Sequence, residues 1–219
     1  MRLSVLIPVY NEEKSVARLI DCVKAVPVDK EIIVVDDHSR DRTFDVLQSL
    51  SGIQVFRHPV NRGKGAAIRT ALAHAKGDVV IIQDADLEYD PAEYPSLLAP
   101  FADPSVDAVY GSRFRGESSF LFLSRLANYF LTFLTNSLFA GRVTDMETCY
   151  KAVRRESLQS LGLTANRFEI EPEITAKLLR KRCRIAEVPI RYRARREGKK
   201  IGAKDGMMAC CFLAKWYVK

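Results

Sequence analysis

Three acidic segments each follow a run of apolar residues: residues 8–13 (PVYNEE), 36–41 (DDHSRD) and 84–88 (DADLE). In the last, Asp84, Asp86 and Glu88 alternate with Ala85 and Leu87. In an extended chain that alternation points all three carboxylates the same way. Carboxylates gathered in one place repel unless a cation or a hydrogen-bonding ligand lies among them. Hard oxygen donors on one side suit Mg2+ or Mn2+, which in turn bridges phosphate oxygens. The competing reading of this segment is an ordinary acidic turn before a helix that starts near Pro91.

Opposite charge sits near the end of the chain. Residues 180–204 hold eleven Lys and Arg against Glu187 and Glu197, although the whole chain has a net charge of only +7. A basic stripe attracts phosphate, whether of nucleic acid, anionic lipid or a phosphorylated small molecule. A solvated basic face explains it equally well.

The elements that would position these groups are legible from hydrophobic periodicity. Apolar runs at 2–9, 30–35, 53–57, 78–83 and 107–111 read as strands. Between them, 12–26, 41–50, 65–75 and 92–101 carry helical patterns. Strand and helix alternating in this way predict an α/β protein, a Rossmann-like and mostly parallel sheet flanked by helices. Ligands of such sheets lie outside the carboxyl ends of the strands, where the acidic segments fall. Neither GxxxxGK[ST] nor GxGxxG is present, so P-loop and dinucleotide sites are excluded. Gly63-Lys64-Gly65 reads as a structural loop opening a helix, with anion binding by its backbone N–H groups as the alternative.

In order and spacing, PVYNEE, VVDDHSRDRT, HPVNRGKGAA, QDADLEYDP, GSRF (111–114), TDMETCYKAVRRE (144–156), RFEIEPEI (167–174) and EVPIRYRARREGKKIG (187–202) resemble the family 2 inverting glycosyltransferases of the GT-A fold. Within that family the likeness is to polyprenyl-phosphate hexosyltransferases of the dolichyl-phosphate mannose synthase type, and it covers nearly the whole chain. It implies a single transferase domain over 1–219. Residues 1–112 would form the nucleotide-sugar half and 113–205 the acceptor half, followed by a C-terminal amphipathic helix at 206–219.

The resemblance also implies roles. Pro8, Tyr10, Glu12 and Val34 would line the donor nucleoside, with Asp36 or Asp37 gripping the base edge or ribose. Asp84, Ala85 and Asp86 would form the DxD element, with Asp84 and Asp86 on Mg2+ or Mn2+ and Glu88 as a third ligand. Arg113, Arg195 and Lys199 or Lys200 would hold the donor diphosphate and the acceptor phosphate. Asp86, Arg113 and Arg195 are thereby the expected catalytic residues. One departure is visible: the family's DDGS reads Asp36-Asp37-His38-Ser39 here.

The expected reaction moves a hexose, mannose or glucose, from GDP-mannose or UDP-glucose to a polyprenyl or dolichyl phosphate. A phosphate monoester is already ionised at neutral pH, so it needs cations to place it more than a base. A saccharide hydroxyl acceptor is the alternative. It would require a base, for which Asp145 is a weak candidate, and Glu171 reads better as a partner for Arg113 or another cation. A non-catalytic basic protein that binds membrane or nucleic acid is a third reading, which leaves the DADLE carboxylates unexplained.

A lipid acceptor implies contact with a membrane. On a helical projection of 124–140, Ser124, Arg125, Asn128, Thr132, Thr135 and Asn136 share one arc, opposite Leu126, Tyr129, Phe130, Phe133, Leu134 and Leu138. A helix over 120–140 is therefore expected either at the bilayer interface or packed on the sheet. The apolar stretch 206–218 is too short to span a bilayer, and its Trp216 and Tyr217 are candidate interfacial anchors. Five cysteines without CxxC spacing, and no secretory signal pattern, fit a reducing compartment. The expectation is a cytoplasmic protein, peripheral on the inner membrane face and compatible with a separate membrane subunit, with no nucleic-acid partner.

Overall fold

The computed structural model describes residues 1–119, 122–194 and 203–218. The first half alternates as expected: β1 (Leu3–Val9), α1 (Val16–Ala25), β2 (Lys30–Asp36), α2 (Thr43–Ser49), β3 (Gln54–Arg57), α3 (Lys64–His74) and β4 (Val79–Ile82). Strands β1 and β4 are buried along their whole length, as strands covered on both faces must be. Helix α1 buries Val16, Leu19, Ile20 and Val23, the spacing of one helical face. Each such side chain contributes about 1.5–3 kcal/mol of transfer free energy.

The next elements are α4 (Tyr94–Leu98), β5 (Ala108–Ser112), β6 (Ser118–Ser119), α5 (Phe122–Phe139), β7 (Lys151–Arg154), α6 (Arg155–Ser160), α7 (Ile170–Arg180), β8 (Ile185–Pro189), β9 (Tyr192–Arg193) and α8 (Ala203–Val218). The helix expected over 92–101 is broken into the short α4 with 3-10 turns on either side. Pro95 and Pro100 lack the N–H groups that a continuous helix needs.

The main sheet runs β3-β2-β1-β4-β7-β5-β8. It is parallel except for β7, which is antiparallel to β4 and β5. Strand β7 therefore enters the sheet at the edge where its neighbours end, with Lys151 opposite Tyr110. The short pair β6-β9 lies apart from the main sheet.

Helix α5 is amphipathic in the reverse of the usual sense. Leu131, Thr132, Thr135 and Phe139 are buried, so the polar arc faces the protein. Thr132 accepts from Met146 N at 3.1 Å, and the Asn136 amide donates to Val143 O at 2.7 Å and accepts from Val143 N at 3.1 Å. Outward, Phe122 is 80% exposed, Leu123 77% and Phe133 70%, alongside Leu126, Tyr129 and Phe130. Among the described residues no helix is long and apolar enough to cross a membrane.

Candidate functional site

The segment after β4 is a turn and not an extended strand. Leu87 takes φ 61°, which reverses the chain and cancels the alternation expected of Asp84, Asp86 and Glu88. Asp84 turns to Lys64, whose Nζ lies 2.7 Å from its Oδ1 and 3.0 Å from its Oδ2. Asp86 Oδ1 accepts from Glu88 N at 3.1 Å, and Glu88 Oε2 accepts from the Tyr192 hydroxyl at 2.6 Å. Burial, then the hydrogen bond to Glu88, raises the Tyr192 phenol above its ordinary value. Among the described residues no three His, Cys, Asp or Glu side chains are gathered as a metal cage. Glu88 is thus drawn to Tyr192 and away from the expected triad. Asp84 and Asp86, half-buried and separated by the buried Ala85, remain a two-carboxylate donor set. Such a set fits Mg2+ or Mn2+, which takes one or two carboxylates and completes its shell with water and substrate phosphates.

Lys64 was not expected here. It opens α3 after the Gly63 turn, where Gly63 has φ 96° and a Cβ would come 2.4 Å from Asn166 O. The glycines of GKG are therefore packing requirements against the 165–167 loop, which bears out the structural reading of that motif. The Lys64 ammonium also lies 3.1 Å from Glu171 Oε1, and Glu171 Oε2 lies 2.6 Å from Lys151 Nζ. Burial pulls the Lys64 pKa down, but Asp84 and Glu171 outweigh it and hold the group well above its ordinary value. Glu171 does pair with basic side chains, Lys64 and Lys151 in place of Arg113. A lysine opening a helix at the carboxyl edge of the sheet was the sequence signal for Lys64. For Lys151 the signal was a lone charge at the start of an apolar run.

On the β1–β2 side, Pro8 and Glu12 are buried and Tyr10 is half-buried beside the strand ends. Glu12 accepts from Ser15 Oγ at 2.7 Å. Three of the residues expected here are held within the fold. Val34 is fully buried within β2, paired with Ile7 two positions below the edge, so it is core. Asp37 is consumed by the fold: it accepts from Arg62 N at 2.8 Å and Gly63 N at 2.6 Å, and lies 2.7 Å from His58 Nδ1. Asp36, also fully buried, accepts from Ser39 N and pairs with Arg57 Nε at 3.1 Å. His38, where the family pattern has Gly, carries φ 63°, the left-handed conformation that Gly adopts without strain.

Beyond β5, Arg113 is 6% exposed and clamped by Asp145, which has no exposure at all. Asp145 Oδ2 accepts from Arg113 N at 2.9 Å and Nε at 2.7 Å, and Oδ1 accepts from Nη2 at 2.7 Å. The guanidinium stands 5.1 Å from the Tyr192 ring. A carboxylate held at both oxygens by one guanidinium is an orienting group, which removes Asp145 as a base.

The run 145–150 closes the site beside the acidic turn. Cys149 N donates to the Tyr89 hydroxyl at 3.1 Å, and its thiol lies 3.5 Å from Ile82 O. Burial, then the neighbouring Asp84, pushes that thiol well up. Glu147, missed in the sequence, is half-buried, and burial pushes its carboxyl up to about 7.

Among the described residues the basic stripe does not form one face. Arg184 pairs with Asp103, Arg191 with Glu93, and Arg180 donates to Trp216 O. Its described residues meet the acidic turn at 192–193, where Arg193 N donates to Glu88 O at 3.1 Å and Tyr89 bridges Tyr192. Arg195, Lys199 and Lys200, expected phosphate ligands, lie outside the described residues. Trp216, an expected membrane anchor, instead packs under the Lys177 ammonium at 4.0 Å.

Residues 4–162 match the family described as Glycosyl transferase family 2. Dolichol-phosphate mannosyltransferase of Pyrococcus furiosus is 30% identical over 217 residues, which cover 91% of this chain and 59% of that protein. UDP-N-acetylglucosamine–dolichyl-phosphate N-acetylglucosaminyltransferase of Methanococcus voltae is 28% identical over 210 residues, 85% of this chain and 83% of that one. Among solved structures, glucosyl-3-phosphoglycerate synthase from Mycobacterium tuberculosis, in complex with Mn2+, UDP-glucose and phosphoglyceric acid, superposes with a TM-score of 0.78 at 26% identity. That match covers 99% of this chain and 80% of the other. The sheet order, the acidic edge and these matches agree: the chain is a glycosyltransferase of GT-A fold and belongs to family 2.

Proposed function

We propose that the protein transfers a hexose from a nucleotide sugar to a polyprenyl phosphate, using a divalent cation held by Asp84 and Asp86. The observation that carries this reading is the stitching of the basic segment to the acidic turn, by the Tyr192 hydroxyl and the Arg193 backbone N–H on Glu88, just ahead of Arg195. Two phosphorylated reactants need such an arrangement, a carboxylate-held cation facing fixed cations. The relatives named for dolichyl-phosphate acceptors, and the UDP-sugar complex of the superposed enzyme, support it.

In this mechanism Pro8, Tyr10, Glu12 and Asp36 bound the nucleoside. When bound, Mg2+ or Mn2+ supplies Lewis-acid stabilisation of the departing diphosphate. Arg113, fixed by Asp145 and backed by the Tyr192 ring, presents charge without reorganisation. Arg195 with Lys199 or Lys200 shares that load. An acceptor phosphate oxygen attacks the anomeric carbon in a single displacement as the diphosphate leaves, so the anomeric configuration inverts. The ionised acceptor requires no base, consistent with Asp145 being locked.

The outward apolar face of α5 supplies the membrane contact. Phe122, Leu126, Phe130 and Phe133 would enter the headgroup boundary while the polar arc stays on the protein. In this reading the enzyme works peripherally, on the membrane face that carries the acceptor phosphate.

The test is transfer of labelled sugar from GDP-mannose, UDP-glucose and UDP-N-acetylglucosamine into polyprenyl phosphate with Mn2+. The expected product partitions into organic solvent and is cleaved by mild acid. Water-soluble, acid-stable product would point to a hydroxyl acceptor, and no transfer from any donor would refute the reading.

A further inference from the structure

Glu147 is a carboxyl group at the candidate site that the mechanism above does not use. Its Oε1 is closed off from solvent and, among the described residues, meets no hydrogen-bond partner. A buried polar oxygen without a partner is destabilising, so its presence calls for a ligand or another compensation.

Its place in the fold says which ligand. Strand β7 inserts antiparallel between β4 and β5, so the residues leading into it lie at the same edge as the acidic turn. Cys149 touches both Ile82 O and the Tyr89 hydroxyl, which fixes the 145–150 run against the segment that carries Asp84 and Asp86. Across the sheet the order is therefore β2 and β1, with Pro8, Tyr10 and Asp36, then β4 with the two carboxylates, then β7 and β5 with Glu147 and Arg113. A nucleotide sugar whose base sits over β1–β2 and whose diphosphate sits at β4 carries its sugar over β7. Glu147 is within electrostatic reach of Lys151, Glu171, Arg113 and Asp145, the charged groups gathered at that end of the sheet edge. Arg113 serves anionic oxygens there, whereas a carboxyl group suits the O–H donors of a sugar.

We propose that Glu147 is a specificity-determining residue that accepts hydrogen bonds from hydroxyls of the transferred hexose and disfavours donors bearing a carboxylate on the sugar. The inference rests on the transferase reading. It extends it by naming a residue that reads the sugar and not the phosphates. The Oε1 oxygen, which meets no partner among the described residues, gains one when a hexose is bound. A uronate in the same place sets like charge against Glu147 and gains nothing.

The experiment compares wild type, Glu147→Gln and Glu147→Ala with UDP-glucose, GDP-mannose and UDP-glucuronate on a polyprenyl phosphate. Binding of each nucleotide sugar and of free UDP and GDP is measured by calorimetry alongside. The expected result is a tenfold or greater fall in the ratio of hexose to uronate kcat/KM in both variants. Binding of the hexose donor should weaken by a similar factor, with the Kd of free UDP or GDP unchanged. A ratio that stays within twofold overturns the proposal. So does a nucleotide Kd that weakens as much as the nucleotide-sugar Kd, because the effect would then be structural. If wild type binds nucleotide sugars but transfers none, the transferase reading fails while the binding arm still judges Glu147. If it binds no nucleotide sugar, both fall.

Discussion

The Lys64 ammonium joins Asp84 Oδ1, 2.7 Å away, to Glu171 Oε1, 3.1 Å away, and so ties the acidic turn after β4 to the first turn of α7. One cation thus compensates two carboxylates from separate elements. Removing one member of a buried pair leaves the others uncompensated, at about 3–5 kcal/mol when fully buried. Asp84 retains some solvent contact, and Lys151 still neutralises Glu171. Lys64→Met should therefore lower unfolding stability by about 2 kcal/mol in a urea titration. A change below about 0.5 kcal/mol would contradict the role assigned to the pair.

Asp86 lies half-buried on the turn as a carboxylate of the proposed cation site, so its removal should fall on activity more than on the fold. Asp86→Ala is expected to keep its thermal midpoint within about 2 °C and to lose roughly 100- to 1000-fold in transfer rate, the scale of a deleted charge-stabilising group. A variant with near-normal turnover would show that the acidic turn is merely structural.

Arg113 and Asp145 make a bidentate pair that lysine cannot reproduce. Arg113→Lys should cut kcat/KM at least tenfold. Asp145→Asn should lower both activity and stability, because a buried guanidinium loses its counter-charge. If the pH–rate profile of Asp145→Asn lost its acidic limb with stability intact, Asp145 would be a base after all.

Phe130→Ser combined with Phe133→Ser removes exposed apolar surface that no described residue covers. Thermal stability should hold or rise, and co-sedimentation with vesicles should drop several-fold. Undiminished binding would move the membrane contact elsewhere.

Burial raises the folded-state pKa of Glu147 from the ordinary 4.5 to about 7. Between those values the folded state binds more protons than the unfolded one, so this group lowers stability as pH climbs from about 4.5 to 7. Glu147→Gln should therefore gain thermal stability relative to wild type at pH 8 and show little gain at pH 4.5. A gain independent of pH would indicate that the carboxyl titrates normally.

The sheet was legible because its strands are continuous apolar runs, and five of them fall where periodicity places them. Strand β7 was not, because only Ala152 and Val153 in it are apolar and its pairing is non-local. Likewise the contacts of Asp84 with Lys64 and of Glu88 with Tyr192 join residues 20 and 104 positions apart. Local pattern carries no signal at that range. The acidic edge was readable from composition, but its geometry was not. A left-handed Leu87 decides where Glu88 points, and nothing in DADLE announces it. The α5 projection separated Thr132 and Thr135, which are buried, from Leu126, Tyr129, Phe130 and Phe133, which are exposed. Arg125 of the polar arc is nevertheless exposed, and Leu134 and Leu138 of the apolar arc pack on the core; only packing could show which side faces inward.

The claim on which the account turns is that Asp84 and Asp86 make a cation-dependent nucleotide site. It is tested most directly by thermal shift with UDP and GDP, in Mn2+ and in chelator, on wild type and Asp86→Ala. Ligand that binds only the folded state raises its midpoint in proportion to occupancy. The account predicts a rise of several degrees for wild type with one nucleotide and Mn2+, absent in chelator and absent in Asp86→Ala. An equal rise in chelator, or an undiminished rise in the variant, would contradict it.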